Sequence, residues 1–237
     1  NDRDYEIIVV DDNSPDGTSD KVREAMKRFP KLKLLTRTSD RGLVPSIKDG
    51  IKMSTGNICV WMDADLSMSP SLIKQFEGKI DLGADLVLGS RYILGGGIKG
   101  EDIGPKKTSF LKVWRNLYHS EDSYISAMIS RYGNRILKWL LNCSISDFSS
   151  GYFGVKKEII KKTEVDGGIV DYCVSLVYKA KMKGLNIVEV PMKLAPRRNG
   201  KSKTSDTLFG ILEVAFRCYK KALTLKFTIK DERKLVK

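Results

Sequence analysis

The chain has one histidine, His119, and four cysteines, Cys59, Cys143, Cys173 and Cys218, none in CxxC spacing. A structural zinc site needs clustered thiolates and imidazoles, and a disulfide scaffold needs a denser cysteine framework. Both are argued against, and a reducing compartment is expected. His119 has no neighbouring cluster of ligands and is read as structural. Uninterrupted apolar runs of about 18 residues are missing, so no transmembrane helix is expected. The first residues carry no signal-peptide pattern. Aromatics make up only 8% of the chain and do not interleave with basic residues as nucleic-acid stacking platforms would, so no nucleic-acid partner is expected. Internal repeats and low-complexity linkers are also lacking. What remains is ordinary globular composition, 41% hydrophobic and 30% charged in 237 residues, enough chain for one large α/β domain or two small ones.

Charge is the unusual property. Lys and Arg number 42 against 29 Asp and Glu, a net charge of +13. Between Lys193 and Lys237 there are 13 basic and 4 acidic residues. That bias points to an anionic partner near the C-terminus: a membrane face, a phosphorylated ligand or nucleic acid.

Tyr5–Val10 is an apolar run that ends in Asp11-Asp12-Asn13-Ser14-Pro15-Asp16-Gly17, which reads as a buried parallel strand entering a polar turn. A helix with Val22, Ala25, Met26 and Phe29 on one face follows, stopped by Pro30. Lys31–Leu35 reads as a second strand, Val44–Met53 as a helix, and Asn57–Met62 as a strand running into Asp63-Ala64-Asp65. Pro70 suits the first position of the next helix. Ala84–Tyr92 reads as a strand ending in a Gly-Ser-Arg turn. Gly95–Gly97 and the stretch to Lys112 read as loop. A helix carrying Ile125, Met128, Ile129, Ile136, Leu137 and Leu140, a strand at Gly151–Val155 and a helix at Asp171–Lys183 come next. Asn186–Leu194 is a bent strand or strand pair around Pro191, and Arg197–Lys203 a basic loop. The last helix places Leu208, Leu212, Ala215, Phe216, Tyr219 and Leu223 at helical spacing. Strands alternating with helices imply an α/β fold with a doubly wound, mainly parallel sheet. Ligands bind such sheets beyond the strands' carboxyl ends, where Asp11, Asp12, Asp63, Asp65 and Arg91 all fall.

Each of these groups has a functional and a plain reading. Asp63-Ala64-Asp65 can hold a hard divalent cation that clamps a diphosphate, or can be acids enriched at a helix start. Asp11 and Asp12 can accept hydrogen bonds from a nucleotide base or ribose, or can serve turn chemistry. Arg91, Arg197 and Lys203 suit phosphate, Arg by bidentate contact, or are solvated surface charges. The C-terminal amphipathic helix can lie on a membrane or pack on the domain.

Six segments taken in order resemble family 2 glycosyltransferases of the GT-A fold: residues 5–18 (YEIIVVDDNSPDGT), 56–70 (GNICVWMDADLSMSP), 89–92 (GSRY), 147–153 (DFSSGYF), 188–191 (VEVP) and 197–203 (RRNGKSK). The DDNSPDGT and MDADLS forms are most similar to the branch containing dolichyl-phosphate mannose synthases and other polyprenyl-phosphate glycosyltransferases. The resemblance implies a GT-A domain over 1–205, with a C-terminal amphipathic helix and basic tail over 206–237. It implies mannose transfer with inversion from GDP-mannose to dolichyl or another polyprenyl phosphate. Asp11, Asp12 and Ser14 would contact the nucleoside, with Asp63 and Ala64 also on the nucleotide sugar. Asp63 and Asp65 would hold Mg²⁺ or Mn²⁺. Arg91, Ser150, Arg197 and Lys203 would hold the acceptor phosphate, and Asp65, Asp147, Arg91 and Arg197 would form the catalytic set. The expected location is peripheral, on the cytosolic face of a membrane (endoplasmic reticulum if eukaryotic, plasma membrane if prokaryotic), either alone or with a membrane-protein partner. Alternatives are a UDP-glucose donor, a glycan acceptor, or a non-enzymatic basic binding protein.

The chain also departs from the resemblance. It begins at what corresponds to the family's second strand, so the first is expected to be missing. Ser175 stands where relatives commonly carry an acid, and 100–123 reads as an insertion in which Arg115 is a candidate substitute for a family arginine.

Overall fold

The computed structural model describes residues 4–98, 101–102, 124–195 and 208–235. In chain order its elements are β1 (Ile7–Asp11), α1 (Thr18–Met26), β2 (Leu32–Thr36), α2 (Leu43–Met53), β3 (Ile58–Trp61), a 3₁₀ turn (Pro70–Leu72) and α3 (Ile73–Asp81). Then come β4 (Leu86–Ser90), β5 (Gly97–Ile98), β6 (Glu101–Asp102), α4 (Tyr124–Leu140), β7 (Phe153–Lys156) and α5 (Lys157–Thr163). The series closes with α6 (Asp171–Met182), β8 (Ile187–Pro191), β9 (Lys193–Leu194) and α7 (Leu208–Leu235).

The strands form three ladders rather than one. β1 and β2 pair in parallel, with Ile7 opposite Leu32 and Asp11 opposite Thr36. The largest sheet has the order β3-β7-β4-β8. In it β4 and β8 are parallel, while β7 runs antiparallel to both its neighbours. A small ladder, β6-β5-β9, flanks it. Glu6 ties the start of β1 to the turn before β3, accepting from the Thr55 backbone (2.5 Å), the Thr55 hydroxyl (2.8 Å) and the Gly56 backbone (3.2 Å).

The large sheet is covered on both faces, which is why its strands are apolar throughout. Leu86 and Leu88 point into one core with Phe153, Val155 and the buried side of α6. Val87, between them, points into a second core with Phe76, Tyr152, Val190 and Met192. Gly154 of β7 is required here: a Cβ would stand 2.9 Å from the Phe76 ring, so α3 approaches the sheet only because that position is bare. Pro70 opens the 3₁₀ turn as expected, and Ser69 caps it by accepting from the Ser71 backbone.

The helix faces differ from expectation. α1 buries none of its residues, and Met26 and Phe29 are exposed. α5 has no counterpart in the sequence reading. On α4, Leu137 is buried while Met128 and Ile136 are exposed. α7 packs through Cys218, Ala222 and Leu225, leaving Leu212, Phe216 and Leu223 outward. Period is legible in a sequence, but the buried face is set by which neighbour covers the helix. All four cysteines are free and buried. No helix among the described residues is long and apolar enough to cross a membrane.

Candidate active site

At the carboxyl end of β3 the chain makes the turn Asp63-Ala64-Asp65-Leu66-Ser67. Asp65 closes it by accepting from the Ser67 backbone at 3.0 Å. Leu66 has φ +63° with its side chain exposed. Bulky residues rarely adopt this left-handed conformation, and it persists where surroundings over-determine it, often at functional turns. Three contacts hold it here: Ala195 donates to the Ser67 carbonyl (2.9 Å), Met68 is buried, and the Tyr152 hydroxyl donates to the Ser69 carbonyl (3.1 Å). The carboxylates of Asp63 and Asp65 are half-buried and Ala64 is exposed.

The Tyr152 bond joins this turn to a second one, residues 147–152. Gly151 there has φ +75°, a left-handed conformation that favours glycine, and it lies against the Met68 side chain. Ser150 is buried and its hydroxyl donates to the Gly89 carbonyl at the end of β4. Arg91 follows that strand. Its Nε and Nη2 donate to the two oxygens of Asp147 at 2.8 and 2.7 Å, and its backbone N–H donates to Oδ2 at 3.0 Å. Nη2 also reaches the Ser149 carbonyl and hydroxyl, at 3.0 and 2.7 Å. Burial works against the Arg91 charge, but the adjacent Asp147 carboxylate outweighs it and the guanidinium is held firmly protonated.

Two further side chains hold the second turn from behind. Glu189 of β8 accepts from the Ser146 backbone through both oxygens (3.0 Å) and from the Asp147 backbone (3.2 Å). Burial pushes its carboxyl above the usual carboxylate range, and the neighbouring Asp147 charge adds to this. Asn134 of α4 accepts from the Phe148 backbone at 2.6 Å and donates to the Ser149 hydroxyl at 3.0 Å. Below the first turn, Trp61, Phe153 and Tyr172 form an aromatic run with centroid separations of 5.4 and 6.3 Å. Burial raises the Tyr172 hydroxyl well above its ordinary value, and Asp63 lies close enough to add to that shift.

The β1 end is organised separately. Asp11 is buried and accepts from the Ser14 backbone (3.3 Å) and the Ser19 hydroxyl (2.6 Å), bonds that lower its pKa. Asp12 accepts from Arg37 Nη1 (2.5 Å), the Gly42 backbone (2.7 Å) and the Ser46 hydroxyl (2.9 Å). Burial opposes its charge, yet these donors prevail and its pKa is also lowered. Arg37 reaches Asp49 as well, through Nε at 2.7 Å, and the Asp40 carbonyl through Nη2 at 2.6 Å.

The segment that follows Asp63, Ala64 and Asp65 is thus tied, through Met68 and Ser69, to the turn carrying Asp147 and Ser150, and Arg91 is bound within that second turn. Asp11, Asp12 and Ser14 are placed by α1, α2 and Arg37. Arg197, Lys203, Arg115, His119 and most of the 100–123 segment lie outside the described residues. Ser175 is buried on α6 and donates to Asp166, which brings a carboxylate to that position from another segment. Sequence reasoning gave no role to Glu189, Asn134 or Arg37. The signal for Glu189 was an acid inside the apolar run Val188–Pro191; nothing local marked the other two.

With this geometry established, the comparisons decide the family. The family described as "Glycosyl transferase family 2" matches residues 1–163. The chain belongs to glycosyl transferase family 2. It is 31% identical over 217 residues to the dolichol-phosphate mannosyltransferase of Pyrococcus furiosus, a match covering 91% of this chain and 55% of that protein. It is 32% identical over 208 residues to the polyprenol monophosphomannose synthase of Mycolicibacterium smegmatis, covering 84% of this chain and 70% of that one. The chain thus spans about half the length of the Pyrococcus protein. Among solved structures, glucosyl-3-phosphoglycerate synthase from Mycobacterium tuberculosis with phosphoglyceric acid aligns with a TM-score of 0.58 at 15% identity, over 92% of this chain and 68% of that one. The same enzyme with Mn²⁺, UDP and glucosyl-3-phosphoglycerate gives 0.56 at 15% identity, with the same coverage of both chains. At such identity the likeness speaks to the fold, which is GT-A.

Proposed function

We propose that the protein transfers mannose from GDP-mannose to a polyprenyl (dolichyl) phosphate, with inversion at the sugar's C1, at the cytosolic face of a membrane. The observation that carries this reading is the contact of Met68 and Ser69, which follow the Asp63–Leu66 turn, with the Asp147–Tyr152 turn, in a chain whose relatives are named for this transfer to a lipid phosphate.

Asp63 and Asp65 offer hard oxygen donors, and no group of three or more His, Cys, Asp or Glu able to hold a metal occurs among the described residues. That donor set suits Mg²⁺ or Mn²⁺ that keeps water and phosphate oxygens as its other ligands. When bound, the cation supplies charge stabilisation to the departing diphosphate. Asp11 and Asp12, held ionised by their donors, together with Ser14, present acceptors to the nucleoside, and Ala64 leaves room beside the diphosphate. Arg197 and Lys203 hold the acceptor phosphate. Arg91 and Ser150, bound to Asp147 and to the Gly89 carbonyl, shape the turn against which sugar and acceptor meet, so Arg91 acts here as a positioning residue.

The chemistry needs little proton transfer. An anionic phosphate oxygen attacks C1, a new C1–O bond forms, and the bond from C1 to the diphosphate oxygen breaks with its electrons leaving on GDP. The protein's main task is to bring two phosphate groups of like charge together in line, which positioning and fixed positive charge accomplish. A single displacement gives a β-linked mannosyl phosphate.

The test is a donor panel. The protein, Mg²⁺ or Mn²⁺ and dolichyl phosphate are incubated with radiolabelled GDP-mannose or UDP-glucose, and the lipid phase is counted. Label is expected in lipid from GDP-mannose. Label from UDP-glucose alone would establish the glucosyl alternative, and none from either would remove the lipid-phosphate reading.

A further inference from the structure

The turn around Asp147 has no strand or helix of its own, so side chains must satisfy its backbone. Four consecutive N–H groups, Ser146 to Ser149, all donate to side-chain oxygens. Ser146 donates to both oxygens of Glu189 at 3.0 Å, and Asp147 to one of them at 3.2 Å. Phe148 donates to Asn134 Oδ1 at 2.6 Å, and Ser149 to Asp147 Oδ1 at 3.1 Å. Glu189 therefore holds the first half of this run, including the residue to which Arg91 is bound.

Glu189 occupies a position that would suit an apolar residue better. It lies on β8 between Val188 and Val190, which pack into the core with Phe76 and Tyr152. Alternation turns Glu189 to the opposite face, beside Leu88 and Ser90 of β4. There it is half-buried, and both burial and the neighbouring Asp147 charge oppose its ionisation. The groups that favour the carboxylate are neutral: the Ser90 hydroxyl and the two backbone N–H groups. Those N–H groups lead straight to the proposed reaction centre. Asp147 is 0% exposed and accepts from the Arg91 guanidinium through both oxygens, and the Arg91 backbone donates to it as well. A shift of the Ser146–Asp147 backbone is thus passed directly to Arg91.

We propose that Glu189 is a positioning residue for the transfer step, fixing the Ser146–Asp147 backbone and with it the Arg91–Asp147 pair, against which sugar and acceptor phosphate meet. This deepens the proposed reaction and rests on it for the identity of the step; the clamp itself stands on the hydrogen bonds. The nucleotide side is held by other contacts. Asp63 and Asp65 precede a segment that meets this turn at its far end, where Met68 lies against Gly151 and the Tyr152 hydroxyl donates to the Ser69 carbonyl. Asp11 and Asp12 are held by Ser19, Arg37 and Ser46. Releasing the near end therefore displaces the Arg91–Asp147 pair and leaves nucleotide binding in place, a division that a general loss of structure would not produce.

Glu189→Gln tests this, because the amide keeps one acceptor oxygen and puts a donor where the second stood. Amide exchange of the whole chain, read by NMR without substrates, is the first measurement. The Ser146 and Asp147 amides are expected to be protected in the parent and to exchange at least about tenfold faster in the variant, while Phe148, bound to Asn134, changes little. Initial rates with GDP-mannose, Mn²⁺ and dolichyl phosphate are the second. The variant's kcat is expected to fall at least about tenfold, with KM for GDP-mannose and its calorimetric affinity within about twofold of the parent. Ser146 and Asp147 amides that already exchange freely in the parent would overturn the proposal. So would an unchanged kcat in the variant, or a kcat loss matched by an equal loss of GDP-mannose affinity. The exchange measurement contains no nucleotide and no lipid, so its outcome is independent of the donor panel.

Discussion

Two buried arginines, each at the end of a strand and each tied to carboxylates, organise different parts of this protein in different ways. Arg37, 5% exposed, is shared between Asp12 and Asp49, whose side chains remain 29% and 48% exposed. It binds the β1–β2 ladder to α2, neighbours along the chain. Arg91, 11% exposed, faces Asp147 at 0%, and joins segments 56 residues apart. One knot is wet and local, the other dry and long-range. Water can take over a lost partner in the first; in the second, removing either member leaves a charge with nothing to replace it. The region that sets the shape of the proposed reaction centre is therefore also the less forgiving one.

Breaking the dry knot sharpens that contrast most. Asp147→Ala strands the Arg91 guanidinium and is expected to reduce unfolding free energy by about 3–5 kcal/mol in urea titration. Asp147→Asn, which keeps the shape and part of the hydrogen bonding, should lose less stability while still depressing the proposed mannosyl transfer at least about tenfold through the displaced turn. The wet knot should yield less. Arg37→Met is expected to lose about 1–2 kcal/mol, with nucleotide affinity affected more than the chemical step. If the two losses are equal, the distinction drawn from burial fails.

The smallest effect concerns Asp166, which links α6 and α7 through Lys179 (2.9 Å) and Lys221 (3.1 Å). Burial opposes its charge, but hydrogen bonds from Ser175, Lys179 and Lys221 hold its carboxyl at about 2, below the ordinary value of 3.8. A depressed folded pKa stabilises the protein above the unfolded value and ceases to do so as pH falls. Asp166→Asn should therefore lose about 1 kcal/mol at neutral pH, after discounting for solvent screening. The difference from the parent should vanish between pH values of about 4 and about 2. A difference that persists at the acid end would show the contact is packing rather than charge.

How far the sequence reached depended on how local each determinant was. β1, β3 and β4 were legible because buried strands read as apolar runs, and their Asp or Gly-Ser-Arg endings marked the ligand side of an α/β sheet. The Asp63–Asp65 turn was legible for the same reason. The reversed direction of β7 was not, because the apolar run Tyr152–Val155 is the same read either way. The separation of β1–β2 from the large sheet depends on which edges meet. The Arg91–Asp147 pair and the support from Glu189 and Asn134 come from segments tens of residues apart, which no spacing rule connects. The apolar period of α7 was visible, but its orientation was not: Cys218, Ala222 and Leu225 face the domain while the larger Phe209, Phe216 and Phe227 face outward.

The central claim is that Asp63 and Asp65 make nucleotide-sugar binding depend on a divalent cation. Calorimetric titration of GDP-mannose, with and without Mn²⁺, into the parent and into Asp63→Ala and Asp65→Ala tests it most directly. The account predicts binding by the parent that weakens at least about tenfold when Mn²⁺ is withheld, and weak, metal-indifferent binding by both variants. Equal affinity in all of these titrations would contradict it.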